Sequence, residues 1–229
     1  MWGRTNPGGT KNMRRVLVLA VAALALPIAA WADGITLSNQ FGSISLSNME
    51  NTGGMGTIGA TTLSRSGSQL TQWNGNIATK GHSLGYVNYT TGALTSGTIA
   101  GGGTFAGGGT FDVIGVGRWA KQLTGEHKNP ITLFSGSFKG PVSWTLTSVN
   151  KSELIYTLSG TIQGTLWNGR SAAGYTSQEF IETKGQLAAG NGRIKMGSTQ
   201  IAIPEPESLS LLATGLVALG GIFGRRLFR

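Results

Sequence analysis

Hydrophobic residues occur at every second position over several short stretches of this chain, and this spacing predicts β-strands. Residues 35–37 and 44–46 each place two apolar side chains around one threonine or serine, and residues 84–89 form a further strand candidate. Alternation puts the apolar side chains on one face of a strand and the polar ones on the other. Glycine and asparagine at 53–56 and 74–76 predict turns between strands.

The clearest alternation lies in residues 131–167 and predicts a hairpin with a long second strand. A polar turn at residues 150–153 separates its two segments. The apolar face is formed by Val142, Trp144, Leu146, Leu154, Tyr156, Leu158, Ile162 and Leu166, with Gly160 and Gly164 in the same register. Residues 171–203 continue in the same β-like manner, and only residues 178–184 are compatible with a short helix.

Two glycine motifs lie close together in the middle of the chain. The pentapeptide Gly-Gly-Gly-Thr-Phe occurs at residues 101–105 and again at 107–111. This repeat predicts two strands around a glycine turn, or one strand with a glycine bulge. Gly115 and Gly117 resemble part of a dinucleotide-binding turn, but the residues that follow end too soon for the helix that such a turn requires. We therefore expect a β-turn there.

Glycine contributes 38 of the 229 residues, and serine, threonine and asparagine are also abundant. Because glycine in a helix interior costs about 1 kcal/mol relative to alanine, this composition disfavours long helices. Residues 33–203 also hold four tryptophans, four tyrosines and six phenylalanines, which need a core. Pattern and composition together predict an all-β fold, a glycine-rich antiparallel β-sandwich. Cysteine is absent, which excludes disulfides and thiolate metal sites.

Residues 1–32 have the pattern of an export signal, which predicts a signal helix at the N-terminus. Arg14 and Arg15 precede an apolar stretch at residues 16–26, and this stretch is too short for a transmembrane anchor. Such a signal is read by the Sec export machinery, so the rest of the chain is expected to leave the cytoplasm.

Ala30 and Ala32 form a small-x-small cleavage site directly before Asp33. Met13 directly precedes the two arginines and gives a more compact signal than Met1, which favours Met13 as the true start. The predicted domains are a signal peptide at 1–32, a β-rich exported body at 33–203 and a C-terminal segment at 204–229.

Residues 204–229 combine a polar kink, an apolar stretch and a basic end. The apolar stretch, residues 209–223, is at the short limit for a transmembrane helix. Positive charge after it is expected to stay cytoplasmic and to act as a membrane stop. The kink consists of Pro204, Glu205 and Pro206, and the basic end begins with Arg225 and Arg226. These features predict a C-terminal transmembrane helix.

This combination resembles the PEP-CTERM sorting signal of Gram-negative bacteria, and the resemblance covers residues 204–229 only. It implies transient anchoring in the inner membrane and processing by an exosortase, with Pro204, Glu205 and Pro206 as the sorting motif. The protein would then reach the cell surface or the extracellular space. Proteins of this type are often linked to exopolysaccharide and biofilm formation, so exopolysaccharide is an implied partner. No catalytic residue carries over to the body.

The net charge of +9 would suit a nucleic-acid partner, but the location of the charge argues against one. Seven of the 18 basic residues flank the two terminal hydrophobic segments, where they set membrane orientation. The other basic residues are scattered along the body, whereas nucleic-acid binding requires a clustered patch. We therefore expect no nucleic-acid partner.

Residues 81–85 match the G-x-S-x-G pattern of a nucleophile elbow, with Ser83 as the nucleophile. Asp112 and His127 follow in the order that α/β-hydrolases use, so acyl transfer is one alternative function. The pattern needs a buried strand before the serine and a helix after it, whereas residues 76–80 are polar. A serine hydrolase is therefore the weakest of three functions considered.

A carbohydrate-binding surface is a further alternative, because flat aromatic rings stack on sugar faces. The candidate rings are Trp73, Trp119, Trp144, Trp167, Tyr86, Tyr89 and Tyr175. Trp144 lies in an alternating apolar register and is expected in the core. Trp73 and Trp119 lie beside turn-like sequence and are the best candidates for exposed rings.

Ionisable residues of the body indicate no metal or cofactor. His82 and His127 are the only histidines, and without cysteine a zinc site would also need suitably spaced carboxylates. Glu179 and Glu182 are expected at a solvated, charged strand edge. The leading interpretation is an exported structural or adhesive protein of the cell surface or extracellular matrix, without enzymatic activity. A carbohydrate-binding module for exopolysaccharide is the runner-up, and a hydrolase using Ser83 is third.

Overall fold

The computed structural model describes residues 33–47, 56–79, 81–149, 153–183 and 191–203. Residues Gly34–Pro204 form one compact unit. Its strands are β1 (Asp33–Gln40), β2 (Ser43–Leu46), β3 (Leu63–Trp73), β4 (Asn76–Ile77), β5 (Gly85–Thr90), β6 (Leu94–Thr98), β7 (Gly102–Phe105), β8 (Gly108–Gly115), β9 (Ile131–Phe138), β10 (Val142–Val149), β11 (Glu153–Leu166), β12 (Ser171–Thr183) and β13 (Asn191–Ile203). A single helix in the described ranges, α1, spans Arg118–Thr124.

The predicted signal helix at 1–32 and the predicted transmembrane helix within 204–229 lie outside the described residues. Within the ranges that the structure does describe, no helix has the length and apolar character needed to cross a membrane.

The predicted all-β, antiparallel character of the body is confirmed. Every strand pairing with a described register is antiparallel. The arrangement differs from a two-sheet sandwich, because the thirteen strands form one continuous sheet. Pairings run from β2 through β3, β5, β8, β9, β11, β12 and β13 and return to β2, which closes a ring. Alternate side chains of the ring strands therefore point to a shared interior.

Strands β6, β7 and β10 extend the sheet from the first half of β11. β11 pairs with β10 over residues 154–159 and with β9 over residues 162–166. Gly136 on β9 lies opposite Gly164 on β11, and a Cβ on either residue would collide with the backbone of the other strand. The two glycines thus let β9 and β11 approach closely.

Several local predictions are confirmed. The predicted hairpin is β10 with β11, the strand candidates fall in β1, β2 and β5, and the turn at 74–76 joins β3 to β4. The two Gly-Gly-Gly-Thr-Phe copies supply the successive strands β7 and β8, which pair with different neighbours. The predicted turns at 53–56 and 150–153 lie outside the described residues except for Gly56 and Glu153.

Two local predictions are wrong. The stretch at 178–184, considered for a helix, is extended in β12 through Thr183, because β11 and β13 pair with it on both sides. The turn after Gly117 leads into helix α1, where only a turn was expected. Ala120 of α1 is buried, and a Cβ added to Gly115 would lie 2.9 Å from the Ala120 Cβ. Packing against Gly115 therefore stabilises a helix too short to be recognised in the sequence.

The interior of the ring has two chemically different sides. One side, called here the aromatic wall, consists of Tyr89, Phe111, Phe134 and Phe138 on β5, β8 and β9. The ring of Phe111 lies 5.7, 6.2 and 5.9 Å from those of Tyr89, Phe134 and Phe138. The opposite side, the polar wall, consists of Asn39, Arg65, Ser68, Thr176, Gln178 and Thr199 on β1, β3, β12 and β13.

Candidate functional site

The predicted sorting, membrane-stop and cleavage residues lie outside the described residues and stay predictions. They are Ala30, Ala32, Pro204, Glu205, Pro206, Arg225 and Arg226. The last strand of the body, β13, ends at Ile203. The predicted sorting motif therefore follows the folded body without an intervening linker.

The three residues of the hydrolase alternative are not linked to one another by any hydrogen bond in the described part of the chain. The Asp112 carboxylate accepts a hydrogen bond from the Ser135 hydroxyl at 2.7 Å. His127 is exposed in the segment after α1. Strand β5 begins two residues after Ser83, at Gly85, whereas a nucleophile elbow places a helix after its serine. The structural context that the motif requires does not surround Ser83.

The tryptophans expected at the surface are packed against the core. Trp73 is 1% exposed and contacts Trp167 edge to face, so the expectation of an exposed Trp73 ring is wrong. Trp119 is partly buried, and its indole N–H donates to the Leu84 carbonyl at 2.8 Å. The expectation that Trp144 lies in the core is confirmed. Carbohydrate binding through Trp73 or Trp119 is therefore not supported.

Hydroxyl side chains line the outer face of four neighbouring strands in register. The members of this line, called here the serine row, are Ser143 on β10, Ser159 on β11, Ser177 on β12 and Ser198 on β13, which pair in that order. All four are exposed or half-buried. Directly paired residues of an antiparallel sheet point to the same face, so the four hydroxyls lie side by side across the sheet.

Tyr175 lies on the same outer face, two residues before Ser177 on β12. Its side chain is 51% exposed, and it pairs with Thr161 on β11 and Gln200 on β13, both of which are exposed. Phe41 is the other exposed aromatic residue among those described, and it lies in the turn between β1 and β2. Tyr175 is therefore an exposed ring on a hydroxyl-rich part of the outer sheet surface.

Charged side chains occur at the border of this surface. The Lys195 Nζ lies 2.9 Å from the Glu179 Oε1, so these two charges offset each other. Lys139 follows β9, and its backbone N–H donates to the Thr161 carbonyl at 3.0 Å. The serine row and the row of Thr161, Tyr175 and Gln200 carry no charge at neutral pH.

Arg65 is a buried cation of the polar wall, only 2% exposed. Its terminal nitrogens donate to the Gln178 side-chain oxygen, to the Ser68 hydroxyl and to the Phe41 carbonyl, the last at 3.1 Å. All three acceptors are neutral, and no ion pair to a described carboxylate is present. Burial lowers the pKa of Arg65 to about 10, although the interaction with Tyr89 acts in the opposite direction.

A bulge in β3 allows Arg65 and Ser68 to face the interior together. The pairing of β3 with β5 shifts register between these two residues, and Gly67 has a φ of 67°. Without the bulge, residues three apart on a strand would point to opposite faces. Gly67 supplies the left-handed backbone conformation that this arrangement needs.

Tyr89 connects the polar wall to the aromatic wall. Its ring stacks on Phe111, and the guanidinium carbon of Arg65 lies 5.6 Å from its centroid, within the range of a cation–π interaction. Burial raises the pKa of Tyr89 to about 12, while the Arg65 charge lowers it. The Tyr89 hydroxyl has no hydrogen-bond partner among the described residues.

Glu182 is buried on the inward side of β12, with 0% of the residue exposed. Neither carboxyl oxygen has a hydrogen-bond partner among the described residues, and burial raises the pKa of Glu182 to about 8. The expectation of a solvated edge is therefore wrong for Glu182, because it shares the inward parity of Gln178 and Phe180. Glu179 has the opposite parity and pairs with Lys195 outside.

Sequence reasoning missed the polar wall and the buried Glu182, although the two-residue spacing from core residues indicated that Arg65 and Glu182 face inward. Arg65 falls two residues after Leu63, and Glu182 falls two residues after Phe180, so each shares its face with a core residue.

No group of three or more histidine, aspartate or glutamate residues in the described ranges is placed to hold a metal ion. No protein-family model, curated protein or solved structure matches this chain.

Proposed function

We propose that this chain is an exported structural or adhesive protein of the cell surface or extracellular matrix, sorted by an exosortase. The order of segments along the chain carries the proposal: the compact β body ends at Ile203, and the segment that resembles a PEP-CTERM signal begins at Pro204. In this proposal the Sec machinery exports the chain, the tail holds it briefly in the inner membrane, and exosortase processing sends the body to the surface.

The construction of the body suits an extracytoplasmic structural role. The chain contains no cysteine, so its stability rests on packing and hydrogen bonds and does not depend on the redox state of the compartment. Closure of the ring gives each of its strands a partner on both sides. Strands that are paired on both sides cannot add a strand from another chain, and this suits a protein that must remain folded outside the cell.

The sorting proposal is tested with an epitope tag inserted in the exposed turn at Asn74 and Gly75, in a bacterium that encodes an exosortase. We expect the full chain to lose its tail and to appear at the surface or in the medium. Deleting the exosortase gene should leave it in the inner membrane. A chain that ends at Ile203 should be released into the periplasm or medium without processing.

The matched control keeps the apolar stretch and changes only the motif, by the triple substitution Pro204→Ala, Glu205→Ala and Pro206→Ala. This variant should remain in the membrane with its tail intact. If the unsubstituted chain also stays in the inner membrane uncleaved while the exosortase is present, plain anchoring replaces sorting.

The serine hydrolase stays a third alternative with a direct test. It requires esterase activity of the purified chain that Ser83→Ala abolishes. Activity that is absent, or that Ser83→Ala leaves unchanged, removes it.

The carbohydrate-binding alternative is favoured by one observation of the outer surface. The exposed ring of Tyr175 lies beside the serine row, whereas Trp73 and Trp119 are packed against the core.

A further inference from the structure

We propose that the serine row and the row of Thr161, Tyr175 and Gln200 together form a docking surface for a neutral polysaccharide chain. This inference deepens the proposed function, because it names a class of partner for the exported body. It rests on the proposed function in one respect only, which is that export brings the body into the compartment that holds the polysaccharide.

The first argument is the hydrogen-bonding capacity of the surface. A serine or threonine hydroxyl both donates and accepts, as a sugar hydroxyl does, so either group can satisfy the other. Adjacent strands lie about 4.8 Å apart, and the paired serines of the row are therefore held at a regular spacing by the backbone ladder. A polymer of hydroxylated rings offers matching groups over several consecutive units, whereas a single small solute would use one or two of them.

The second argument is the position of the Tyr175 ring. Its neighbours on the same face of β12 are Ala173 and Ser177, and Ala173 pairs with Ala202 on β13. These small side chains leave the ring 51% exposed and open on its flank. Tyrosine gives a large, rigid contact area at a low cost in conformational entropy, and its hydroxyl still bonds to water or to a ligand. The apolar C–H face of a sugar ring is the surface that such a ring covers.

The third argument is charge. The two rows are uncharged, and the ion pair of Glu179 and Lys195 at their border has no net charge, which leaves the exposed Lys139 beside Thr161 as a cation at the border. An isolated exposed cation is screened by salt and offers little electrostatic attraction to acidic polymers such as uronic-acid chains. A second copy of this chain is also a poor occupant. Stable self-association needs a larger apolar patch than Tyr175 and the separate Met196 provide.

The experiment measures retention of the purified full chain, kept in mild detergent, on cellulose, starch and cross-linked dextran as neutral polymers, and on immobilised alginate as an acidic one. We expect retention on at least one neutral polymer, with little change when salt is raised. Tyr175→Ala should weaken that binding about tenfold or more, because an exposed aromatic anchor supplies much of the contact energy. Tyr175→Phe should keep most of the binding, and Ser177→Ala should weaken it severalfold.

The matched control is Phe41→Ala. Phe41 is an exposed aromatic residue in the turn between β1 and β2, and it belongs to neither row. This variant should bind as the unsubstituted chain does. Circular dichroism confirms that each variant is folded.

Four results overturn the proposal. They are the absence of retention on every neutral polymer, equal retention of Tyr175→Ala, salt-sensitive retention on alginate alone, and self-association that depends on Tyr175 in analytical ultracentrifugation without glycan binding. The binding assay uses purified protein and the sorting assay uses whole cells. A failure of one proposal is therefore visible without the other.

Discussion

The aromatic wall and the polar wall face the same interior, yet they stabilise it in different ways. Phe111 contacts three other rings of the aromatic wall, and those contacts are many, weak and without strict direction. Arg65 instead depends on a few hydrogen bonds to neutral acceptors. Loss of a ring leaves a cavity, whereas loss of one acceptor leaves a buried charge without a partner.

A fully closed sheet therefore does not need a uniformly apolar interior. The polar wall tolerates a cation because Gln178, Ser68 and the Phe41 carbonyl converge on it, and because the Tyr89 ring lies beside it. Every member of such a network must be present for the burial to be tolerated. The aromatic wall has no such condition, so its residues should be more independent of one another.

The largest effect is expected for Phe111→Ala. Removal of the ring deletes contacts with Tyr89, Phe134 and Phe138 in a closed interior that cannot collapse freely, so the free energy of unfolding should fall by about 3–5 kcal/mol. Urea denaturation of the full chain, followed by tryptophan fluorescence, measures it. Phe41→Ala is the control, since Phe41 is 55% exposed and should change stability by no more than about 0.5 kcal/mol. Equal losses in the two variants would contradict a dominant aromatic wall.

A pH dependence is expected from Glu182, on the inward side of β12. Its pKa rises from 4.5 to about 8 on folding, so the folded chain holds the proton more tightly than the unfolded chain. Stability should therefore fall as pH rises from about 4.5 to about 8 and should level off above that range. Thermal unfolding of the chain and of Glu182→Gln between these limits measures the contribution, because the amide does not titrate.

Glu179→Gln is the control for this dependence, because Glu179 lies outside the ring beside Lys195. Its unfolding temperature should follow the pH profile of the unsubstituted chain. Parallel profiles for Glu182→Gln and the unsubstituted chain would show that Glu182 titrates in the folded protein as it does in the unfolded one.

A smaller loss is expected when one acceptor of the polar wall is removed. Gln178→Leu deprives Arg65 of a hydrogen bond inside the ring, at a cost of about 1–3 kcal/mol in the free energy of unfolding. The double variant Arg65→Met and Gln178→Leu removes the charge together with its acceptor, and should be no less stable than Gln178→Leu alone. A double-mutant cycle by urea denaturation measures the coupling. Strictly additive losses would mean that the network is not cooperative.

The division into two walls could be predicted only in part from the sequence. Alternation located β1, β2, β5, β10 and β11, because period-two patterning reports directly which face of a strand is buried. It could not distinguish a closed ring from a sandwich, since both bury one face of each strand. Helix α1 has seven residues and depends on packing, so its local pattern was too short to recognise.

The candidate surface was harder to foresee than the strands. Tyr175 could be named from the sequence as one of several aromatic residues, but its exposure depends on the parity of β12 within the closed sheet. The serine row depends on the pairing registers of four strands, including the bulge that shifts β12 against β13 between Glu179 and Phe180. Registers of this kind are set by tertiary contacts that a single sequence does not display.

The smallest effect is expected for Gly197→Ala, which probes how tightly the polar wall is packed. A Cβ at this buried position of β13 would press on the Gln178 side chain and lie 2.6 Å from the Asn39 Nδ2. Both are ends of flexible side chains, so the loss should be about 1 kcal/mol, at the low end for an overpacked core. Gly140→Ala is the control, because the nearest atom to its Cβ would be the Thr161 Oγ1 at 4.0 Å. A loss for Gly197→Ala as large as that for Phe111→Ala would show that the polar wall is as rigid as the aromatic one.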